Sequence, residues 1–96
     1  MEFSQASGFD WDEWNVAKIW EKHQVSQAEC EQVFFNEPLV AGEDIEHSDQ
    51  EQRLFVLGVT EQDRELFLVF TLREDRIRVI TARDMSRKER RVYRNV

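Results

Sequence analysis

RLFVLGVTEQDRELFLVFTLREDRIRVITAR, residues 53–83, decides the fold. Leu54-Phe55-Val56-Leu57-Gly58-Val59 and Leu66-Phe67-Leu68-Val69-Phe70 are continuous apolar runs of strand length. Runs of this kind belong to strands covered on both faces, so both are expected at the centre of a sheet. The polar turn Glu61-Gln62-Asp63-Arg64 joins them, and a tight Glu74-Asp75 turn leads into a third strand, Arg76 to Arg83. Side chains alternate along a strand. Arg76, Arg78, Ile80 and Ala82 are therefore expected on one face, with Ile77, Val79, Thr81 and Arg83 on the other.

Upstream of these strands the pattern is helical. Phe9-Asp10-Trp11-Asp12 reads as a short extended entry, with Asp12 as N-cap of a helix from Glu13 to about His23. Val16, Ile19, Trp20 and His23 share one side of that helix, which predicts a buried stripe ending at His23. Ser26-Gln27-Ala28-Glu29 is a capping box opening a second helix to about Phe34, with Ala28, Val33 and Phe34 available for burial. Asn36-Glu37-Pro38 ends it, because proline disfavours helical angles in its predecessor and donates no hydrogen bond. Leu39-Val40-Ala41 is expected as an edge strand. Residues 42–52, with Glu43, Asp44, Glu46, Asp49 and Glu51, read as an exposed acidic loop.

Downstream, Ser86-Arg87-Lys88-Glu89 is another capping box, and a basic helix is expected to about Arg94. Its apolar residues, Met85, Val92, Tyr93 and Val96, form a thin seam. From Arg76 to Arg94 there are eight basic residues against Asp84 and Glu89, a net +6; the whole chain carries −7, which leaves −13 for the rest. The charge is polarised along the sequence. These elements predict an α+β fold: an antiparallel meander with two N-terminal helices and a short basic C-terminal helix.

Ninety-six residues fit one domain, residues 1–96, with 1–8 expected to be flexible. The N-terminus resembles neither a signal nor a transit peptide, and no run approaches the roughly 18 apolar residues of a membrane span. A cytoplasmic protein without membrane contact is expected. Cys30 is the only cysteine, so neither an intramolecular disulfide nor a multi-thiolate metal site is available. Flanked by Glu29 and Glu31, it is expected as a small, partly buried side chain. No cofactor or metal is expected.

Phe9-Asp10-Trp11-Asp12, Lys22-His23-Gln24-Val25, Val33-Phe34-Phe35-Asn36-Glu37-Pro38-Leu39, Arg53, and the C-terminal run Arg78-Val79-Ile80-Thr81-Ala82-Arg83-Asp84-Met85-Ser86-Arg87-Lys88-Glu89-Arg90-Arg91-Val92-Tyr93 occur in the order seen in BrnT-type toxins of bacterial toxin-antitoxin systems. The chain resembles that family over nearly its whole length beyond Gly8. It departs from it at Gln24, where the family usually has glycine, and in its acidic front half. The resemblance implies a RelE-like fold and an RNA-cleaving, translation-inhibiting activity, on free or ribosome-associated RNA. It also implies a cognate antitoxin, of ribbon-helix-helix type, that neutralises the toxin and joins it in repressing their promoter. A homodimer or a 2:2 complex with the antitoxin is expected.

Metal-free RNA cleavage needs help in removing the 2′-OH proton, cationic stabilisation of the transition state and protonation of the leaving oxygen. Arginine suits the second role, since its fork grips phosphate oxygens and keeps its charge. Histidine suits the others by its intrinsic pKa. Positions matching the family put His23, Lys22, Arg53, Arg78 and Arg83 in the catalytic set. Each has a structural alternative: His23 as a packed helix-terminal residue, and Arg53 or Arg83 as sheet-edge residues paired with carboxylates. Arg73, Arg76, Arg87, Lys88, Arg90, Arg91 and Tyr93 are candidates for holding RNA or the antitoxin. The readings open at this point are a ribonuclease toxin, a non-catalytic RelE-like binding module or co-repressor acting with an antitoxin-like partner, and a ribosome- or protein-binding adaptor.

Overall fold

The computed structural model describes residues 6–47 and 51–96. In chain order its elements are β1 (Gly8–Phe9), α1 (Glu13–His23), α2 (Gln27–Val33), β2 (Val40–Glu43), a 3-10 turn (Ile45–His47), β3 (Leu54–Val59), β4 (Glu65–Arg73), β5 (Arg76–Asp84) and α3 (Arg87–Arg94). The five strands form one sheet in the order β1-β5-β4-β3-β2. Strands β2 to β5 make the expected antiparallel meander, but the sheet is mixed, because β1 lies parallel beside β5. Of residues 1–8, residues 1–5 lie outside the described residues. Ser7 donates its backbone N–H to Asp75 at 2.7 Å, and Gly8 pairs with Arg76.

The three caps form as the sequence predicts. Asp12 accepts from the Asn15 N–H at 2.7 Å, and Ser26 with Glu29 and Ser86 with Glu89 complete reciprocal capping boxes. α1 ends in a left-handed residue, Gln24 (φ 57°, ψ 36°), whose N–H donates to the Trp20 carbonyl at 2.8 Å. The glutamine takes the conformation glycine adopts more cheaply, and its side-chain amide donates a second bond to the same carbonyl at 2.9 Å. The Glu74-Asp75 turn has positive φ at both residues, the geometry of a two-residue hairpin loop.

One face of the sheet packs against α1 and α2. Ile19, Val25, Cys30 and Val33 meet Val56, Leu66, Leu68, Phe70, Ile77, Val79 and Ala82 there. The stripe expected on α1 is rotated: Ile19 is its buried residue, Asn15 donates from Nδ2 to the Val79 carbonyl at 2.6 Å, and Trp20 is 50 % exposed. On α2 the buried residues are Cys30 and Val33, while Ala28 faces outward. On the opposite face α3 seats Tyr93, with Met85 just ahead of it, against Leu57, flanked by Val40, Phe55, Val59 and Phe67. β2 is an edge strand as expected and extends through Glu43. Asp49 of the acidic stretch lies outside the described residues; Glu51 faces Arg73 at 3.7 Å.

Candidate nucleic-acid interface

The register of β4 and β5 determines where the strand arginines point. Phe70 pairs with Val79 and Val69 with Thr81, so Ile80 is an extra residue, a bulge in β5. The bulge reverses the alternation beyond it. Ala82 joins Ile77 and Val79 on the helix-packed face, contrary to the unbroken alternation expected from the sequence. Arg83 pairs with Phe67, Thr81 with Val69, Arg78 with Thr71 and Arg76 with Arg73. Since Phe67, Val69, Thr71 and Arg73 share a face of β4, Arg73, Arg76, Arg78 and Arg83 all lie on the face that carries α3.

Carboxylates of the same chain hold three of these four. Arg83 donates from both terminal nitrogens to the two Glu89 oxygens, at 2.8 and 2.9 Å, and its guanidinium lies 4.2 Å from the centre of the Phe67 ring. These bonds hold the Glu89 carboxyl below its usual pKa, helped by the Ser86 N–H. Arg78 bonds Asp12 and approaches Asp10 at 3.6 Å. Asp12 is held below its usual value, first by the Asn15 N–H and then by Arg78. Arg73 faces Glu51. Arg76 is exposed and makes no ion pair among the described residues.

α3 continues the positive surface. Arg87, Arg90, Arg91, Arg94 and Asn95 line a shallow groove of about 340 Å³. Arg90 donates to the Met85 carbonyl at 2.6 Å, and Arg94 grips Glu65 at 2.7 and 3.0 Å, fixing the last turn to the start of β4. Arg87, Lys88 and Arg91 carry no ion pair among the described residues. Tyr93 does not join them at the surface. It is 6 % exposed, and its hydroxyl donates to the Pro38 carbonyl at 2.6 Å.

Lys22 and His23 sit elsewhere. With Lys18, Ile19, Ile80 and Thr81 they line a cleft of about 130 Å³, where the end of α1 meets the bulge. β1 pairs with β5 only as far as Ile77, so this cleft adjoins an edge of β5 that no described strand covers. Arg53 lies one residue before β3, and its carbonyl accepts the Asp44 N–H at 2.8 Å. The structure thus sets Arg83 beside α3 and leaves Arg78 further along the same face, with Arg73 and Arg76 at its hairpin end. It sets Lys22 and His23 at the edge of β5 and places Arg53 at the start of β3.

The residue that sequence reasoning missed is Arg64, read only as part of a polar turn. It donates to Asp84 at 2.8 and 3.2 Å, to Glu29 at 3.1 Å, and to the Gln24 and His23 carbonyls at 2.8 and 3.3 Å. It thereby ties the end of α1, the start of α2 and the end of β5 around the Lys22–His23 cleft. Asp84 is held below its usual pKa, first by the bonds from Arg64, with smaller contributions from Arg90 and His23. The partners lie 20 to 41 positions away in sequence, so no local pattern announces them.

Cys30 offers no nucleophile, since burial first, and then Glu29 and Glu31, push its thiol up to about 12. No three His, Cys, Asp or Glu side chains cluster as a metal-holding group among the described residues. The dominant chemical character of the α3 face is guanidinium, suited to phosphodiester oxygens.

A family model described as "Ribonuclease toxin, BrnT, of type II toxin-antitoxin system" matches residues 11–89. No curated protein matches the chain.

Proposed function

The chain belongs to the BrnT family of ribonuclease toxins of type II toxin-antitoxin systems, a membership that implies an antitoxin partner, and we propose that it cleaves RNA without a metal on the face shared by β5 and α3. The observation that carries this reading is the Ile80 bulge, which turns Arg83 onto the face of the basic helix that Arg78 already shares. Bulges concentrate beside active sites, where they re-aim side chains.

In this reading Arg76, Arg87, Lys88 and Arg91 hold the phosphate backbone, and Arg83 and Arg78 address the reacting diester. The 2′ oxygen attacks phosphorus, the bond to the 5′ oxygen breaks, and a cyclic phosphate and a 5′ hydroxyl result. Lys22 and His23, at the edge of β5 that no described strand covers, supply and remove the protons, while Arg53 supports the strand face from the start of β3. Half-exposed ion pairs are worth only about 0–1 kcal/mol, so a phosphodiester can displace Glu89 or Asp12 from its arginine. Translation falls as messenger is lost, whether or not it is on the ribosome. A cytoplasmic RelE-like toxin of this kind is neutralised by a ribbon-helix-helix antitoxin in a 2:2 complex.

The filled guanidinium forks of Arg78 and Arg83 favour a second reading, a chain that keeps the fold without the chemistry and acts as co-repressor with its antitoxin. Inducing the chain alone separates the two. Growth arrest with RNA cleavage that persists in EDTA is expected, with cleavage falling about 100-fold or more in Arg83→Ala and His23→Ala. Undiminished cleavage in both variants overturns the site, and its absence from the unsubstituted chain supports the co-repressor.

A further inference from the structure

The outward side of α1 carries aromatic surface that RNA chemistry does not use. Trp14 is 73 % exposed and Trp20 is 50 % exposed. Trp11, Val16, Ala17 and Trp20 wall a predominantly apolar groove of about 390 Å³, reaching Gln27 at the start of α2. Trp11 is fixed in that wall by its indole N–H, which donates to Glu31 at 2.8 Å. Glu13, Ala17, Trp20 and Glu21 recur at helical spacing, so the tryptophans and the acids share one surface. Tryptophan is the residue type most enriched among side chains that dominate binding energy, and it is costly to leave in water.

The charge around the groove selects its occupant. Glu13 and Asp12 line it, Glu31 accepts from Trp11 and Gln27 in its wall, and Glu21 follows Trp20 on α1. Glu13, Glu21 and Glu31 make no ion pair among the described residues, whereas Asp12 is engaged by Arg78. The nearby cation, Lys18, lies over the Trp14 ring at 5.3 Å from its centre. Unpaired carboxylates repel a phosphate backbone, so stacking of RNA bases on these indoles is disfavoured. A second copy of the chain would offer its basic α3, but that helix turns Tyr93 inward and exposes only Val92 and Val96 as apolar anchors.

We propose that this side of α1 is the docking surface for a cationic amphipathic helix of a partner protein. Aliphatic side chains at i, i+3, i+4 and i+7 enter the groove between Trp11 and Trp20, and lysines or arginines face Glu13, Glu21 and Glu31. The surface lies across the sheet from α3, so it is separate from the arginine face.

The probe is a helical peptide of leucine and lysine with that spacing, compared with its leucine–glutamate counterpart by calorimetric titration into the full chain. Saturable binding of one lysine peptide per chain is expected, with none of the glutamate peptide. The Trp14→Ala/Trp20→Ala double variant should bind at least about tenfold more weakly. A Glu13→Gln/Glu21→Gln variant, which keeps the Trp11–Glu31 bond and the aromatic surface in place, should also weaken binding and reduce its salt dependence. Equal affinity for the lysine peptide in the unsubstituted chain and both variants overturns the proposal, as does failure of that peptide to bind. Two further results overturn it by reassigning the surface: single-stranded RNA binding that the tryptophan substitutions abolish, or self-association in sedimentation that they abolish.

Discussion

Arg64 Nε, Nη1 and Nη2 reach two carboxylates and two helix-terminal carbonyls at once, so its deletion removes five bonds from one half-buried place. Arg64→Met should cost about 2 kcal/mol, because Glu29 and the end of α1 lose their charge-assisted partner together. Arg64→Lys should recover only part of this, since an ammonium cannot fork. Urea unfolding checks both, through a lower midpoint at unchanged slope. Gln24 runs the other way. A left-handed non-glycine residue costs on the order of 1 kcal/mol, and the exposed amide bond to Trp20 offsets little of it. Gln24→Gly should therefore raise stability by about 0.5–1 kcal/mol, seen as a melting temperature a few degrees higher.

The contact between α2 and β3 depends on a missing side chain. A Cβ at Gly58 would stand 2.7 Å from Val33 Cγ1 and 3.1 Å from Leu39 Cδ1, both held in the core on the helix side of the sheet. Gly58→Ala should cost about 1–3 kcal/mol through overpacking and push α2 outward, as hydrogen exchange of the α2 amides would show. The elements themselves were legible in the sequence. The capping boxes at Ser26 and Ser86 and the apolar runs of β3 and β4 each carry a local cause, and the element order follows from them. What was not legible depends on pairing between elements. Nothing in Arg78-Val79-Ile80-Thr81 marks Ile80 as a bulge, since only the register against Val69 and Phe70 makes it one. The same holds for the parallel pairing of β1 with β5, of which the sequence marks only an extended entry near Phe9, and for Arg64, whose partners come from three elements. The candidate site was thus legible as a set of arginines, but not as a face. Tyr93, one of the few apolar residues in a basic helix, anchors α3 by packing with Met85 against Leu57.

Across the described residues the acidic first half meets the basic last stretch only at Arg78, while Arg76, Arg87, Lys88 and Arg91 on one side and Glu13, Glu21 and Glu31 on the other make no ion pair. The pairs that do form are local ties. Asp12 meets Arg78, Glu29 meets Arg64, Glu51 meets Arg73, and within the last part Glu65 meets Arg94 and Glu89 meets Arg83. These pairs close helices onto strands, so their protonation should loosen the fold as well as change its charge. Glu89 is held below the ordinary glutamate value of 4.5 by Arg83 first, and Asp84 below the ordinary aspartate value of 3.8 by Arg64 first. Burial works against ionisation of Glu29, but the Ser26 N–H and Arg64 outweigh it and its pKa also falls. A carboxyl whose folded value is depressed contributes stability that is fully present above its unfolded value and is lost as pH falls through the folded one. Stability should therefore be level from about pH 8 to 6 and begin to fall near the ordinary carboxylate values. It should continue to fall below pH 3.8, where the paired carboxyls take up protons. Allowing for solvent screening, Glu29, Asp84 and Glu89 together supply on the order of 1–2 kcal/mol. In a domain of this size that lowers the melting temperature by roughly 5–15 °C across the window. Calorimetry at constant ionic strength measures the curve, and Arg64→Met should flatten its acid limb, because Asp84 and Glu29 then titrate nearer their unfolded values. An equally steep limb in that variant would place the acid sensitivity in pairs other than those of Arg64.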